Sequence, residues 1–156
     1  MKKTKEFFVI AHNIRSLYNV GSIFRTADAF GVAKIYLTGY TGRPDNVAHA
    51  NKIAKSALGA EKWVPWEYEN SAIRLIKKLK SRGIKIIALE QHRSSVKLGN
   101  FKPKFPLALV LGEEVRGVSK PILQLCDIIL EIPVAGKKES LNVSVAFGVA
   151  AYKISH

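Results

Sequence analysis

Cysteine, acidic residues and long apolar runs are scarce in this sequence, and each scarcity excludes a class of protein. Cys126 is the one cysteine in 156 residues, so an internal disulfide and a thiolate metal cluster are both excluded. Its apolar neighbours indicate a buried side chain rather than a nucleophile. The four histidines, at positions 12, 49, 92 and 156, are scattered, so we expect no metal site. No apolar run approaches the roughly 20 residues of a membrane span and no signal peptide is evident, so we expect a cytoplasmic protein outside the membrane.

The charge that is present is strongly one-sided. Lys and Arg number 25 against 12 acidic residues, which gives a formal net charge of +13 at pH 7. Such an excess predicts a polyanionic partner, with nucleic acid the first candidate and an anionic membrane the second. The alternative is a basic surface that is merely solvated. Basic residues crowd the middle of the chain and flank one late loop: Lys77, Lys78, Lys80, Arg82, Arg93, Lys97, Lys102, Lys104, Lys137 and Lys138.

Strand and helix patterns alternate along the whole chain, which predicts an α/β fold. The predicted strands are Glu6 to Ala11, Ala33 to Thr38, Ile84 to Leu89, Leu107 to Leu111 and Asp127 to Ile132. The predicted helices are Val20 to Phe30, Val47 to Leu58, Ser71 to Arg82, Ser119 to Leu125 and Leu141 to Ile154. The stretch Trp63 to Trp66 is short and broken by Pro65, and Gln91 to Phe105 is a basic loop without a clear period. Nearly continuous apolar strands favour a mainly parallel sheet with helices on both faces, in one domain over residues 1–156.

Three stretches place glycines and small polar residues at junctions between a strand and a helix, where α/β folds bind ligands. They are NVGSIFRTADAFG (19–31), LGEEVRGVS (111–119) and IPVAGKKESLNVSVAFGVAAY (132–152). In the second stretch Val118 stands where a phosphate loop has lysine, and Glu113 and Glu114 would repel phosphate. A neutral or cationic ligand is therefore favoured over a nucleoside triphosphate.

Each of these stretches could also be ordinary loop punctuation, and several of their residues have ordinary interpretations. Ser140 or Asn142 could simply cap the last helix, since both are good N-cap residues. Arg25 could be a surface partner of Asp28 three residues later on the same helix. Gly21 could let either a ligand or another backbone approach closely.

Taken in order, the three stretches resemble the three motifs of the SpoU/TrmH-type RNA 2′-O-ribose methyltransferases of the SPOUT superfamily. The matching residues are Asn19 and Arg25 in the first motif, Gly112, Glu114 and Gly117 in the second, and Ser140 and Asn142 in the third. The resemblance covers nearly the whole chain. It implies a C-terminal trefoil knot, although knots are otherwise very rare. It also implies S-adenosylmethionine as cofactor.

The resemblance further implies which residues act. The residues expected to contact the cofactor are Leu89, Gly112, Ile132, Ser140 and Leu141. The residues expected to serve catalysis are Arg25, Asn19, Glu114, Ser140 and Asn142. Arginine is a poor general base because its unperturbed pKa is ~12.5 or higher. Arg25 would more easily orient a phosphate or stabilise developing charge, but the sequence leaves its role open.

The implied activity is transfer of a methyl group to a ribose 2′-hydroxyl of tRNA or rRNA, without a separate RNA-binding extension. Two alternatives stay open, a non-catalytic RNA-binding module of the same fold and a methyltransferase that acts on a base. The resemblance also implies a homodimer that pairs through the first and last helices. The apolar residues available for that contact are Ile23, Phe24, Ala27, Phe30, Val145, Phe147, Val149 and Tyr152. On sequence alone, all of them could equally be intramolecular core.

We predict that affinity for RNA falls steeply with salt, because each phosphate neutralised by Lys or Arg releases counterions. With several such contacts, the Kd should rise about 100-fold between about 50 and 200 mM salt. Fluorescence anisotropy with a labelled RNA at constant pH measures this slope. A flat affinity over that range would assign the basic excess to a merely solvated surface.

Overall fold

The computed structural model describes residues 5–156 and contains one seven-stranded sheet, in which each recorded strand pair is parallel. The strands are β1 (Phe7–His12), β2 (Lys34–Thr38), β3 (Trp66–Glu69), β4 (Lys85–Leu89), β5 (Val96–Lys97), β6 (Leu107–Leu111) and β7 (Ile128–Glu131). Their order across the sheet is β3-β2-β1-β6-β4-β7-β5. The helices are α1 (Leu17–Ala29), α2 (Val47–Ala57), α3 (Ala72–Ser81), α4 (Lys120–Leu125) and α5 (Val143–Ser155).

Two apolar cores lie on opposite faces of the sheet because successive residues of a strand point to opposite sides. In β1, Phe7, Val9 and Ala11 belong to one core, whereas Phe8 and Ile10 belong to the other. Residues of α1, α2 and α5 complete the first core, and residues of α3 and α4 complete the second. The predicted parallel sheet with helices on both faces is confirmed. Within residues 5–156, no helix is long and apolar enough to cross a membrane.

Two strands were missed because their local signals are weak. β3 (Trp66–Glu69) directly follows Pro65, whose missing N–H argues against a strand. The proline is tolerated because β3 lies at the edge of the sheet, where Pro65 needs only to accept a hydrogen bond from the Ile35 N–H at 2.9 Å. β5 (Val96–Lys97) has only two residues, too few to show a period, and lies within the segment interpreted as loop.

Helix α1 begins three residues before the predicted start at Val20. Ser16 caps it, with its side-chain oxygen accepting a hydrogen bond from the Asn19 N–H at 3.1 Å. Leu17 is therefore already helical, and Asn19 lies in the first turn rather than in the preceding loop. This placement fixes the direction of the Asn19 side chain.

The late strands do not lie in the sheet in the order in which they follow along the chain. β6 inserts between β1 and β4, and β7 then inserts between β4 and β5. The last helix, α5, returns to pack beside α1. This strand order is compatible with the trefoil knot implied by the resemblance, and the knot itself stays a prediction.

Gly21 allows the backbones of α1 and α2 to lie in direct contact. A Cβ atom at this position would overlap Ser56 Oγ and the Ile53 carbonyl oxygen, and would lie 2.9 Å from the Ala57 nitrogen. Ser56 Oγ instead donates a hydrogen bond to the Tyr18 carbonyl at 2.7 Å. The close approach that Gly21 permits is therefore that of another backbone, not of a ligand.

We predict that Gly21→Ala lowers the free energy of unfolding by about 1–3 kcal/mol, because the added methyl group forces α1 and α2 apart. Gly99→Ala is the matched control, since a Cβ there meets no atom within 4 Å. Urea unfolding of both variants measures the difference. Equal stabilities would show that the two helices can separate without cost.

Candidate active site

The C-terminal ends of three neighbouring parallel strands and the start of α5 enclose one cleft. β4, β6 and β7 run in the same direction, so their ends meet at one edge of the sheet. All five residues expected to contact a cofactor line this cleft: Leu89, Gly112, Ile132, Ser140 and Leu141. The structure thus brings four separate segments together, and contact of these residues with a cofactor stays a prediction.

The cleft is acidic, although the chain as a whole is strongly basic. Of the described residues that line it, Glu90, Glu113 and Glu114 are acidic and Arg116 alone is basic. The rest of the lining is largely apolar: Leu89, Leu111, Val115, Ile132, Val134, Leu141, Val143 and Ala146. Such a lining suits a ligand that combines an apolar body with positive charge, and it disfavours a polyphosphate.

The loop from Gly112 to Val118 forms one wall of the cleft and is tightly folded. The Gly117 N–H donates to the Glu113 carbonyl at 2.8 Å. A Cβ atom at Gly112 would overlap the backbone of Gly117, so these two glycines are in direct backbone contact. Gly117 also adopts a φ of +69°, which favours glycine. We call residues 112–118 the wall loop.

A chain of side-chain hydrogen bonds connects the three sequence stretches. Glu114 Oε1 accepts from the Ser16 N–H at 3.0 Å and from Asn19 Nδ2 at 3.3 Å, while Glu114 Oε2 accepts from the Arg15 N–H at 3.0 Å. Asn19 Oδ1 in turn accepts from Asn142 Nδ2 at 3.3 Å. Residues from all three stretches therefore form one connected network beside the cleft.

Glu114 is held in its ionised form. Burial raises the pKa of its carboxyl, but hydrogen bonds from the Ser16, Arg15 and Glu114 backbone N–H groups and from Asn19 lower it, and the net pKa lies below 4.5. A carboxylate that already accepts several hydrogen bonds and has a low pKa is a weak proton acceptor at neutral pH. Glu114 is accordingly suited to hold the network in place rather than to act as a general base.

Asn142 is both the cap of α5 and a member of this network. Its Oδ1 accepts from the Ser144 N–H at 2.9 Å and from Ser144 Oγ at 2.6 Å, which leaves its amide NH2 free to reach Asn19. The capping prediction is therefore confirmed for Asn142. Ser140 lies two residues earlier, is exposed and lines the cleft.

Arg25 lies apart from the cleft within the same chain. It follows Asn19 by six residues, which turns it about two thirds of a turn further around α1. Its side chain is exposed and, among residues 5–156, takes part in no recorded hydrogen bond or ion pair. Asp28, its suggested surface partner, instead accepts a hydrogen bond from Trp63 Nε1 at 2.9 Å. The surface-pair interpretation of Arg25 is therefore wrong.

Sequence reasoning missed several residues of the site. Glu90 and Gln91 line the cleft directly after β4, and Arg116 lines it from the wall loop. The backbone N–H groups of Arg15 and Ser16 hold Glu114, although neither residue stands out by type. Glu90 could have been found, because an acidic residue immediately after a buried parallel strand lies at the ligand-binding edge.

The lone cysteine, Cys126, has the properties of an unreactive thiol. Cys126 is partly buried and its Sγ lies 3.2 Å from the Ile122 carbonyl oxygen, and burial raises the pKa of its thiol to about 12. This agrees with the expectation that it is not a nucleophile. No group of three or more metal-ligating side chains occurs among residues 5–156.

Comparison with known proteins gives matches along almost all of the chain. A model described as the SpoU rRNA Methylase family matches residues 6–152. The putative TrmH family tRNA/rRNA methyltransferase YacO of Bacillus subtilis is 32% identical over 153 residues, covering 98% of this chain and 59% of YacO. The tRNA (guanosine(18)-2′-O)-methyltransferase of Aquifex aeolicus is 32% identical over 152 residues, covering 97% of this chain and 70% of that protein.

A solved structure agrees with these sequence matches. The AdoMet-bound rRNA methyltransferase of Sinorhizobium meliloti has a TM-score of 0.88 and 25% identity, covering 97% of this chain and 56% of the other. This chain therefore spans little more than half the length of YacO and of the Sinorhizobium meliloti protein.

We predict that Glu114→Gln destabilises the protein at neutral pH by about 1 kcal/mol, because an amide cannot accept all the hydrogen bonds that converge on the carboxylate. A lowered pKa contributes stability that is present above the ordinary value of 4.5 and is lost as the pH falls through the folded-state value. The difference between the two proteins should therefore be constant near neutrality and shrink in acid.

Urea unfolding of both proteins between pH 3 and pH 8 measures this difference. Glu113→Gln is the control, because it removes the same charge from the same loop and breaks no recorded side-chain hydrogen bond among the described residues. A Glu114→Gln deficit that is independent of pH, or one matched by Glu113→Gln, would contradict the role assigned to the carboxylate.

Proposed function

The chain belongs to the SpoU rRNA methylase family, and from this premise we propose that it transfers a methyl group from S-adenosylmethionine to a ribose 2′-hydroxyl of RNA. The observation that carries the proposal is the acidic, partly apolar cleft at the strand ends, joined to the first and third motifs by the Glu114, Asn19 and Asn142 network. The activity, substrate and partners proposed for this chain are those that the names of its relatives suggest.

The residues of the cleft fit this cofactor. Leu89, Ile132 and Leu141 offer apolar surface for an adenine ring. Glu90 and Glu113 add negative charge to the cleft, which favours a ligand that carries sulfonium and ammonium groups. The AdoMet-bound relative from Sinorhizobium meliloti supports the same assignment.

When bound, S-adenosylmethionine supplies a methyl group attached to a positively charged sulfur. That sulfur is a good leaving group because it departs as a neutral thioether. Transfer of that methyl group to the ribose 2′-oxygen would leave S-adenosylhomocysteine as the second product, and the hydroxyl proton would pass to solvent water. The protein must hold the hydroxyl in line with the carbon–sulfur bond and assist loss of the proton. Asn19, Ser140 and Asn142 are the polar side chains we assign to positioning around the cleft.

Glu114 and Arg25 take different parts in this scheme. Glu114 is ionised and fully engaged in hydrogen bonds, so we assign it to fixing Asn19 rather than to accepting the proton. Arg25 is exposed and free to contact RNA, so we assign it to orienting a phosphate next to the reacting ribose and stabilising the charge that develops there.

The position of Arg25 on α1 favours a homodimer. Arg25 does not line the cleft of its own chain, so a second subunit is the simplest way to bring Arg25 itself to a cofactor bound in a cleft. The outer surface of α5 offers an apolar contact, since Val145, Val149 and Tyr152 are 52%, 43% and 60% exposed. Such a surface is unfavourable in water and is typical of an interface.

Only part of the apolar set considered from sequence is available for this contact. Ile23, Phe24, Ala27 and Phe147 are buried within the chain. Phe30 is partly exposed, and its ring meets that of Tyr152 edge-to-face with centroids 6.2 Å apart. We therefore propose that the interface consists of the outer face of α5 with the rim of α1, which includes Arg25.

The proposed substrate is a folded RNA, either tRNA or rRNA. The Aquifex aeolicus relative is named for a guanosine of tRNA, and the Sinorhizobium meliloti relative is named for rRNA. The net charge of +13 supports a polyanionic substrate without distinguishing the two.

We predict that the purified protein transfers the labelled methyl group of S-adenosylmethionine to RNA isolated from a strain that lacks this protein. We also predict that alkali fails to cleave the RNA after the labelled nucleotide. Alkaline cleavage needs a free 2′-hydroxyl, so resistance at the labelled position distinguishes ribose from base methylation. A labelled nucleotide that is still cleaved by alkali would mean a base-directed enzyme. Absence of transfer to either class of RNA would favour a non-catalytic binding module.

We predict that Arg25→Ala lowers the rate of transfer ~100-fold or more and leaves stability nearly unchanged, because a charge clamp is lost from an exposed position. Arg74→Ala, which removes an exposed arginine from α3, is the matched control. Leu141→Arg should also be inactive, because it adds bulk and positive charge to the cleft wall. Steady-state rates of the three variants measure these effects, and near-normal turnover by Arg25→Ala would exclude it from catalysis.

Mixing Arg25→Ala with Leu141→Arg tests whether the active site is shared between subunits. If one subunit supplies the cleft and the other supplies Arg25, random exchange should restore about a quarter of wild-type activity, since half of the dimers are mixed and each has one intact site. Sedimentation should show twice the chain mass. A dimer that fails to complement would contradict sharing, and an active monomer would contradict the dimer.

A further inference from the structure

Glu90 is a cleft residue that lies outside the three motifs and makes unusual contacts. Its own N–H donates to the Leu130 carbonyl at 2.9 Å, which fixes the end of β4 against β7. Its two carboxylate oxygens accept from two different backbone segments. Oε1 accepts from the Gln91 N–H at 2.9 Å, and Oε2 accepts from the Val118 N–H at 2.8 Å. The carboxylate therefore joins the end of β4 to the end of the wall loop.

Gly117 shows how closely the wall loop approaches this carboxylate. A Cβ atom at Gly117 would overlap Glu90 Oε2, so no larger residue fits while Glu90 keeps its position. Gly117 also contacts the backbone of Gly112, at the other end of the same loop. Glu90, Gly117 and Gly112 thus form a continuous stack, and Gly112 is one of the residues expected to contact the cofactor.

We propose that Glu90 is a positioning residue whose carboxylate holds the wall loop against the end of β4 and thereby keeps the cleft in the shape that binds S-adenosylmethionine. This proposal rests on the proposed function for the identity of the ligand. Both carboxylate oxygens of Glu90 accept hydrogen bonds in this arrangement. In an amide one of the two positions becomes an NH2 group, which would face another N–H donor.

Glu90→Gln tests the proposal with little change in size. We expect the Kd for S-adenosylmethionine, measured by calorimetry, to rise by about tenfold, the cost of losing one charge-assisted hydrogen bond. KM for the cofactor should rise in parallel, while kcat at saturating cofactor changes by less than about threefold, because Glu90 acts on the cleft and not on the reacting atoms.

Glu113→Gln separates the contacts of Glu90 from its charge. Both residues line the cleft, but the Glu113 side chain makes no recorded hydrogen bond in the described part of the chain. The proposal predicts a clearly larger rise in Kd for Glu90→Gln than for Glu113→Gln. Equal rises would mean that only the negative charge matters, and the proposal would be overturned.

Hydrogen exchange at the Val118 amide gives a readout that needs neither cofactor nor activity. In the wild-type protein this N–H donates to Glu90 and should exchange slowly. In Glu90→Gln its exchange should become faster relative to that of the β6 amides in the same sample. Unchanged exchange at Val118 would contradict the proposal even if the Kd rises. The β6 amides also report whether the variant remains folded.

A double-mutant cycle tests the stack directly. Gly117→Ala should weaken cofactor binding because its Cβ collides with the Glu90 carboxylate, and Glu90→Ala removes that collision. The combined variant should therefore bind better than the product of the two single effects predicts. Simple multiplication of the effects would mean that the two residues act independently. If wild-type protein itself fails to bind S-adenosylmethionine, the proposed function fails, whereas wild-type binding with no Glu90→Gln effect overturns only this inference.

Discussion

The arrangement of the candidate site depends on one carboxylate, that of Glu114. Its oxygens accept hydrogen bonds from Arg15, Ser16 and Asn19, which lie 95 to 99 residues earlier in the chain. Asn19 in turn accepts a hydrogen bond from Asn142, which lies 123 residues after Asn19 in the chain. Two of the N–H groups involved precede the first turn of α1 and would otherwise need water, because helix starts leave such donors unpaired. A single acidic side chain thus satisfies local backbone groups and joins three distant segments.

The partition of charge gives this protein two surfaces with different chemistry. The chain carries a net charge of +13, yet three glutamates line the cleft within the described residues. A basic exterior attracts a polyanion over long distances, whereas the acidic cleft repels its phosphates and admits a small cation. Under the proposed function, this separation keeps the polyanionic RNA and the cationic cofactor on different surfaces. It also explains why a phosphate loop was a poor interpretation of LGEEVRGVS.

The central sheet was predictable because its strands carry continuous apolar runs, as in the β6 strand Leu107–Leu111, all of whose residues are buried. β3 was not, because Pro65 and the short length hide the pattern, and β5 has only two residues. The order of strands could not be derived from periodicity, since β6 and β7 insert between strands that precede them. The cleft residues were found through resemblance, which pointed to Leu89 at the end of β4 and not to Glu90, the next residue.

The central claim is that the strand ends of β4, β6 and β7 form a site for S-adenosylmethionine, and calorimetric titration tests it most directly. In buffer with chelator, the account predicts saturable binding of one S-adenosylmethionine per chain, loss of that binding in Leu141→Arg, and no binding of ATP, whose phosphates the glutamates repel. Absence of heat with S-adenosylmethionine together with an unchanged melting temperature, or binding of ATP in its place, would contradict the account.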